Sequence, residues 1–553
     1  MNGIRPEGVA GKGRLAPLFS VLLFLLFLFF PGGRVARAQD VLTYHDNNAR
    51  TGEYLHETLL SPANVNKDSF GKLFVIPVDG KVDAEPLYMR RISIPGKGVH
   101  NVVFIATEND SVYAFDASSG VLLWHVRLLK RGETPSDDRG CSQVIPIIGI
   151  TSTPVIDPKS GPHGTIYVVA MSKNQNGRYF QRLHALDVTT GKEEFGGPVD
   201  VHAEYPGTGA GSRNGKVIFD PKQYEERASL LLLNHVIYTA WASHCDNDPY
   251  TGWVIGYNER DLHRTSVLDF TPNGTKGSVW QSGAGMAADG RGNIYFLAAN
   301  GTFDTTLNSR GFPAHGDFGN AFMKLSTAGG GLKIVDYFAM YNVTHENDTD
   351  ADLGSGGALL LPPMKDAHGR LRRLAVGAGK DQNVYLVDVD HMGKFNPHKN
   401  NVYQELPKAL GGREFAMPAY FNGKLYYGAV TDHLRAFEFR HARLLPHPVS
   451  ETPNQFVYPG TTPSISADGN ANGIVWAAEN GMAVLYAYDA GNLSHELYNS
   501  NQAGTRDHFG VGDKFITPMI ADGRVYVGTA NGVGVFGLLS EARKSPHKPQ
   551  QTK

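Results

Sequence analysis

The sequence predicts an all-β fold: an eight-bladed β-propeller of four-stranded antiparallel blades, closed by an N-terminal strand. Three observations predict it. A unit of apolar strand, Asp-Gly turn, strand, Gly or Asn turn and strand ending in Asp recurs about eight times, and self-similar arrays of short strands fold as propellers or solenoids. The 64 Gly, 31 Pro, 24 Tyr and 28 Phe suit many short strands joined by tight turns. No long helical period breaks the array. Seven blades is the alternative count, and an extended solenoid is the competing architecture.

The elements follow in order. Residues 1–38 read as a secretory signal peptide, with Arg5, Lys12 and Arg14 ahead of an apolar run at 21–30 and Ala36-Arg37-Ala38 as a small-x-small cleavage site. This implies a periplasmic or secreted protein with no membrane span after cleavage. Residues 39–69 form an N-terminal cap segment, which opens with the polar stretch Tyr44-His45, Asn47, Asn48 and Arg50. Residues 70–538 form the propeller. Unit one starts at Glu85-Pro86-Leu87, unit two at Thr153-Pro154-Val155 and unit three at Ser229. Units four to seven open at Gly285, Gly357, Ala416 and Thr462, and unit eight runs from Ile516 through Ala521-Asp522-Gly523 to Leu538. Unit eight lacks a fourth strand. Residues 70–78 have no unit of their own, so pairing the two closes the ring and removes two exposed sheet edges. Residues 539–553 read as a disordered basic tail.

Charge and cysteine content bound the function. The whole chain has a formal net charge of −2, and the leader carries five basic residues against Glu7, so the remainder is mildly acidic. Nothing in this balance calls for nucleic acid. The only cysteines are Cys141 and Cys245. In an exported chain an isolated pair reads as a disulfide sooner than as a metal site, with free thiols the alternative. No Cys-x-x-Cys-His haem-attachment sequence occurs.

The turn phrases of residues 115–124, which run Asp116-Ala117-Ser118-Ser119-Gly120 and end at Trp124, and of Leu186-Asp187-Val188-Thr189-Thr190-Gly191-Lys192 are more specific. They resemble the tryptophan-docking motif of the pyrroloquinoline quinone (PQQ) dehydrogenases. The resemblance spans nearly all of the chain after the leader and implies a quinoprotein-like propeller that binds PQQ and Ca²⁺. Residues 294–301, ending in Asn300-Gly301, resemble the phrase whose Asn ligates calcium. Gly316-Asp317-Phe318-Gly319-Asn320 stands where the family has its catalytic base. Lys380-Asp381-Gln382-Asn383 resembles the phrase whose cation contacts the quinone oxygens. The resemblance therefore implies Asn300 as a metal ligand, Asp317 as the base and Lys380 as a cofactor contact. Trp280 is the nearest match to the Trp that stacks on the quinone. Where the family supplies a metal-binding Glu, this chain reads Ser243-His244-Cys245-Asp246-Asn247-Asp248, so Asp248 is expected in its place. The chain departs from the family in that Cys141 is followed by Ser142, not by a second cysteine.

The chemistry of such a set is coherent. A hard divalent cation takes oxygen ligands and polarises a carbonyl, a carboxylate accepts the alcohol proton, and a fixed cation offsets charge on the acceptor. Separately, Asp348, Asp350 and Asp352 alternate along one loop before Gly354, a spacing that suits Ca²⁺ and also suits a solvated acidic loop. The expected function is an exported PQQ/Ca-dependent oxidoreductase acting on a small-molecule alcohol or sugar. The alternatives are a non-catalytic propeller that binds a cell-envelope protein or polysaccharide, and a polysaccharide lyase or hydrolase using channel His and carboxylates.

Overall fold

The computed structural model describes residues 39–542; the expected signal peptide and most of the expected basic tail lie outside them. Eight antiparallel sheets follow one another along the chain. Blade one is Leu87–Ile94, Gly98–Thr107, Ser111–Asp116 and Leu122–Arg127, paired in that order. Blades two to seven repeat the meander, and their first strands are Val155–Asp157, Leu231–Leu233, Ala287–Ala288, Leu359–Leu360, Ala419–Phe421 and Ser464–Asp468. Blade eight is Met519–Ala521, Arg524–Thr529 and Gly532–Leu538, completed by Phe70–Pro77 from the other end of the chain. That closing strand is antiparallel to Gly532–Leu538, from Phe70↔Leu538 to Pro77↔Gly532. Closure leaves no open edge between the first and last blades, as the unpaired 70–78 segment predicts. Just past blade eight, Leu539–Ala542 forms a single helical turn at the start of the segment expected to be a disordered tail.

Six of the apolar clusters join two neighbouring blades, one spans blades seven, eight and one, and a small one lies within blade two. Val102, Phe104 and Trp124 of blade one pack with Ile156, Ile166 and Val168 of blade two, for example. Neighbouring blades therefore pack face to face, so every sheet is covered on both sides. The tryptophan-docking phrase explains one such junction. Trp124 Nε1 donates to Val188 O at 2.9 Å, and its ring lies on the Gly191 turn of the next blade. Gly191 has φ +68, and a Cβ there would sit 2.7 Å from the indole, so both the turn and the contact need glycine.

The cap segment organises the centre. The carbonyls of Val41, Leu42, Asn48, Ala49, Thr51 and Gly52 accept from the amides of Tyr88, Ile156, Ala288, Leu360, Tyr420 and Ile465, on the first strands of six blades. Asn48 Nδ2 adds blade three through Leu232 O. Glu57 Oε2 adds blade eight through the Gly523 amide. One short segment reaches all eight blades only if their first strands surround a common axis. Arg50 is fully buried in this plug. Its guanidinium donates to Thr43 Oγ1 (2.7 Å), Tyr44 O (2.8 Å), Met286 O (3.0 Å) and Leu230 O (3.3 Å). The axis is thus filled by chain and is not an open pore.

Candidate functional site

In a four-stranded meander the connections from strand two to three, and from strand four to the next blade, emerge on the same face. Every sequence-predicted site residue lies on one of these two connection types, so the topology places them all on one face of the disc. A cavity of about 270 Å³ opens there. It is lined by the Cys141–Cys245 disulfide, Trp280, Lys380, Asp350 and Asp352, together with Glu225, Asp246 and Phe415.

The disulfide links the connection ahead of blade two to a loop of blade three, across 104 residues of sequence, with Cα atoms 5.5 Å apart. Trp280 precedes a single turn, Gln281–Gly283, in which Gln281 and Ser282 both have positive φ. Their side chains hold that strained turn: Gln281 Oε1 accepts from the Leu297 amide at 3.0 Å, and Ser282 Oγ donates to Ser355 O at 2.7 Å. The indole meets Phe415 and Phe515 edge to face, with centroids 5.9 and 5.2 Å away.

Lys380 Nζ lies 2.7 Å from both Asp350 Oδ1 and Asp352 Oδ1. Burial alone would lower the ammonium pKa, but the two carboxylates outweigh it and raise it. Asp352 is buried, and desolvation pushes its carboxyl up to about 6 against the pull of Lys380. Asp350 is half-exposed and also accepts from Asn300 Nδ2 at 2.9 Å. The acidic loop is docked there by Asn347, whose amide exchanges two hydrogen bonds with the Gly301 backbone. Glu225 is buried, and its Oε1 has no hydrogen-bond partner among the described residues. Behind it, buried His244 has Nδ1 3.4 Å from Glu225 Oε2.

The structure brings together Trp280, Lys380, Asp350, Asp352, Asn300 and the disulfide. It does not bring Asp317, Asp248 or Asp348 to the cavity wall. Asp317 is buried in the same blade-four loop as Asn300, but its Oδ1 accepts from the Asn273 amide at 2.9 Å. Burial raises its pKa against that bond. Asp248 accepts from Thr275 Oγ1 at 3.0 Å on the surface. Asp348 is exposed at the end of the short helix Val343–Asp348. In that stretch of blade three it is Asp246 that reaches the cavity, held by the Tyr250 hydroxyl at 2.7 Å. Sequence reading missed Glu225 and Phe415. Both sit just ahead of a blade's first strand, and that position was their available signal.

The face continues beyond the cavity as a ring built by the inter-blade connections. One arc is aromatic, with Phe415, Tyr458 and Phe515 around Trp280. The other is charged. Lys81 Nζ pairs with Asp513 Oδ1 at 2.6 Å, Asp83 and Glu108 are buried close by, and the Arg227 guanidinium lies 5.0 Å from the Phe515 ring. Burial pushes the carboxyls of Asp83, Glu108 and Asp513 up to about 7, with the neighbouring carboxylates adding to the rise.

No family model matches the sequence, and no curated protein matches it significantly. The fold does have solved counterparts. A quinohemoprotein alcohol dehydrogenase from Comamonas testosteroni superposes with a TM-score of 0.59 at 13% identity, covering 93% of this chain and 82% of that one. The quinohemoprotein alcohol dehydrogenase ADHIIG from Pseudomonas putida HK5 gives 0.58 at 14% identity over the same shares. A europium-containing methanol dehydrogenase gives 0.55 at 11% identity, covering 90% of this chain and 98% of that one. At such identities the likeness establishes the fold alone: this chain is an eight-bladed β-propeller whose fold resembles that of these dehydrogenases.

Proposed function

We propose that the protein is an exported quinoprotein that oxidises an alcohol or sugar, using PQQ and a divalent cation such as Ca²⁺ bound in the Cys141–Cys245 cavity. The observation that carries this reading is the donor set of that single cavity. Glu225, Asp246, Asp350 and Asp352 line it together with one ammonium, Lys380, which pairs with the last two, and the Glu225 Oε1 atom is buried without a partner among the described residues. An acidic, oxygen-rich wall with an unsatisfied buried carboxylate fits a hard cation. An indole and a disulfide on the same cavity fit a flat ring system.

Glu225 and Asn300 would hold the cation, with Asp246 in reserve, and Trp280 and the disulfide would bound the quinone. When bound, the quinone with its cation supplies the hydride acceptor. The chain's own residues do the rest. Asp352, buried and with its carboxyl near neutrality, accepts the alcohol proton. Lys380 holds Asp352 in place and keeps a positive charge beside the acceptor. Gln281 and Ser282 keep Trp280 fixed, and the filled axis limits solvent to one side. The test is dye-coupled oxidation of short alcohols and sugars after incubation with PQQ and Ca²⁺. Asp352→Asn is expected to lose about 10²–10⁴-fold in turnover, while Asp317→Asn keeps most of it. Turnover that survives Asp352→Asn and falls in Asp317→Asn would return the base to the loop of blade four. No turnover and no quinone retained would end the reading.

A second reading has one observation behind it. Val457, Tyr458, Met482 and Val511 are exposed on the same face, beside the aromatic arc, and exposed apolar patches mark docking surfaces. It predicts capture of an envelope protein that persists in Asp352→Asn and fails in a Met482→Asp, Val511→Asp double variant.

A further inference from the structure

We propose a second metal site, for a divalent transition cation such as Zn²⁺, between blades two and three on the face opposite the cavity, with Asp157, His235 and Glu259 as ligands. Among the described residues these three bring ligand atoms within 4.8 Å of one another. Asp157 ends the first strand of blade two. His235 sits in the two-residue turn between Leu231–Leu233 and Val236–Ser243 of blade three, and Glu259 follows Trp253–Asn258. These are connections from strand one to two and from strand three to four, so they emerge on the other side of the disc.

The local backbone aims the donors at one point. Asn234 and His235 both have positive φ, 51° and 65°, the conformation of a tight hairpin turn. The Glu259 amide donates to His235 O at 3.1 Å, which fixes the two residues relative to each other. Tyr167 of blade two donates its hydroxyl to Glu259 O at 2.7 Å and so anchors the Glu259 turn to its neighbour. His235 Nδ1 then lies 2.6 Å from Glu259 Oε1. The Glu259 side chain is 1% exposed and that of His235 is 73% exposed, so the carboxylate is desolvated while the imidazole faces incoming solutes. Arg260 reaches Glu259 only at 3.5 Å, from the surface, and can swing away.

The donors suit the ion. One imidazole nitrogen and two carboxylates offer two negative charges, which match a divalent cation. Three protein ligands leave the fourth tetrahedral position to water. Ligands bound at about 2.0–2.2 Å sit about 3.4 Å apart across a tetrahedron, so His235 and Glu259 need part by less than about 1 Å. The ion would staple Asp157 of blade two to blade three. The Cys141–Cys245 bridge already crosses the same boundary on the cavity face, so this junction would be fastened on both faces.

The test uses the full mature chain, washed with chelator and titrated calorimetrically with Zn²⁺, together with thermal unfolding at each zinc concentration. The wild type is expected to bind one equivalent more than the His235→Ala variant and to unfold at a higher temperature as zinc is added. His235→Ala and Glu259→Gln are expected to lose about a hundredfold in affinity and the thermal response with it. His345→Ala, which removes an exposed histidine on the cavity face, is expected to keep both. His235 is exposed, so its variant tests the ligand without disturbing a core. Absence of binding in the wild type, or unchanged binding in His235→Ala, overturns the assignment. So does loss of binding in His345→Ala.

Discussion

Replacing Arg50 tests whether the cap segment is structural keystone or dispensable lid. The guanidinium makes four hydrogen bonds, three of them to carbonyls: one in the cap segment itself and one each beside blades three and four. Arg50→Met keeps most of the volume and removes every donor. A buried acceptor left without a partner costs about 1–3 kcal/mol, and three carbonyls lose one. Recovery of the guanidinium's own desolvation cost offsets several kcal/mol of that. The net expectation is about 1–5 kcal/mol lost, reaching the upper end for single substitutions. Gly285 gives a second handle, because a Cβ there would lie 2.7–2.9 Å from the guanidinium. Gly285→Ala should therefore destabilise the wild type but cost much less in the Arg50→Met background, since the clash is with Arg50 itself. The assay is urea unfolding followed by tryptophan fluorescence, with limited proteolysis reporting release of the N-terminal segment. A change below about 0.5 kcal/mol in Arg50→Met, with no new cleavage between residues 39 and 57, would refute the reasoning.

Further outcomes follow from the same contacts. Asp83, Glu108 and Asp513 hold protons in the fold that an unfolded chain releases near pH 4, so stability present at low pH is lost as pH rises through about 7. The thermal midpoint should fall between about pH 5 and about pH 8, and an Asp83→Asn, Asp513→Asn double variant should flatten the slope; a wild-type midpoint that rises across this window contradicts the linkage. Replacing both cysteines by serine removes a cross-link across 104 residues, worth up to about 4.7 kcal/mol for a loop near that length, and an unfolding midpoint unchanged from the oxidised wild type would show that the bridge adds nothing. Lys380→Met removes the one cation between Asp350 and Asp352. It should bind Ca²⁺ about fivefold more tightly while turning over more slowly, so weaker Ca²⁺ binding would place the cation away from Lys380.

The fold was legible in the sequence to the level of blade number and closure, because strand periodicity and turn residues are local signals. The orphan strand at 70–78 had one place to go, opposite a unit lacking its fourth strand. Trp124 and Gly191 were legible for the same reason, since each sits in a short turn phrase. The cavity was legible in part. Trp280, Lys380, Asp350 and Asp352 come from three connections of blades three, four and five, and a ring brings such connections together. A candidate base is harder to read, because Asp317, expected from the sequence, and Asp352, proposed from the geometry, both lie on loops of the cavity face near Asn300. Only side-chain direction separates them: Asp317 turns to the Asn273 amide, whereas Asp352 turns to Lys380. Glu225 carried no motif, since the role proposed for it rests on a carboxylate oxygen left without a partner among the described residues.

Cofactor retention is the most direct test of the central claim. The purified protein, stripped with chelator, is incubated with PQQ in the presence or absence of Ca²⁺, desalted, and scanned for the quinone chromophore with metal analysis on the same sample. One quinone per chain, retained only with the cation, is expected, with both lost in Trp280→Ala and in Glu225→Gln. A protein that retains no quinone with Ca²⁺ present, or one that retains it equally in Trp280→Ala, would contradict the assignment of this cavity.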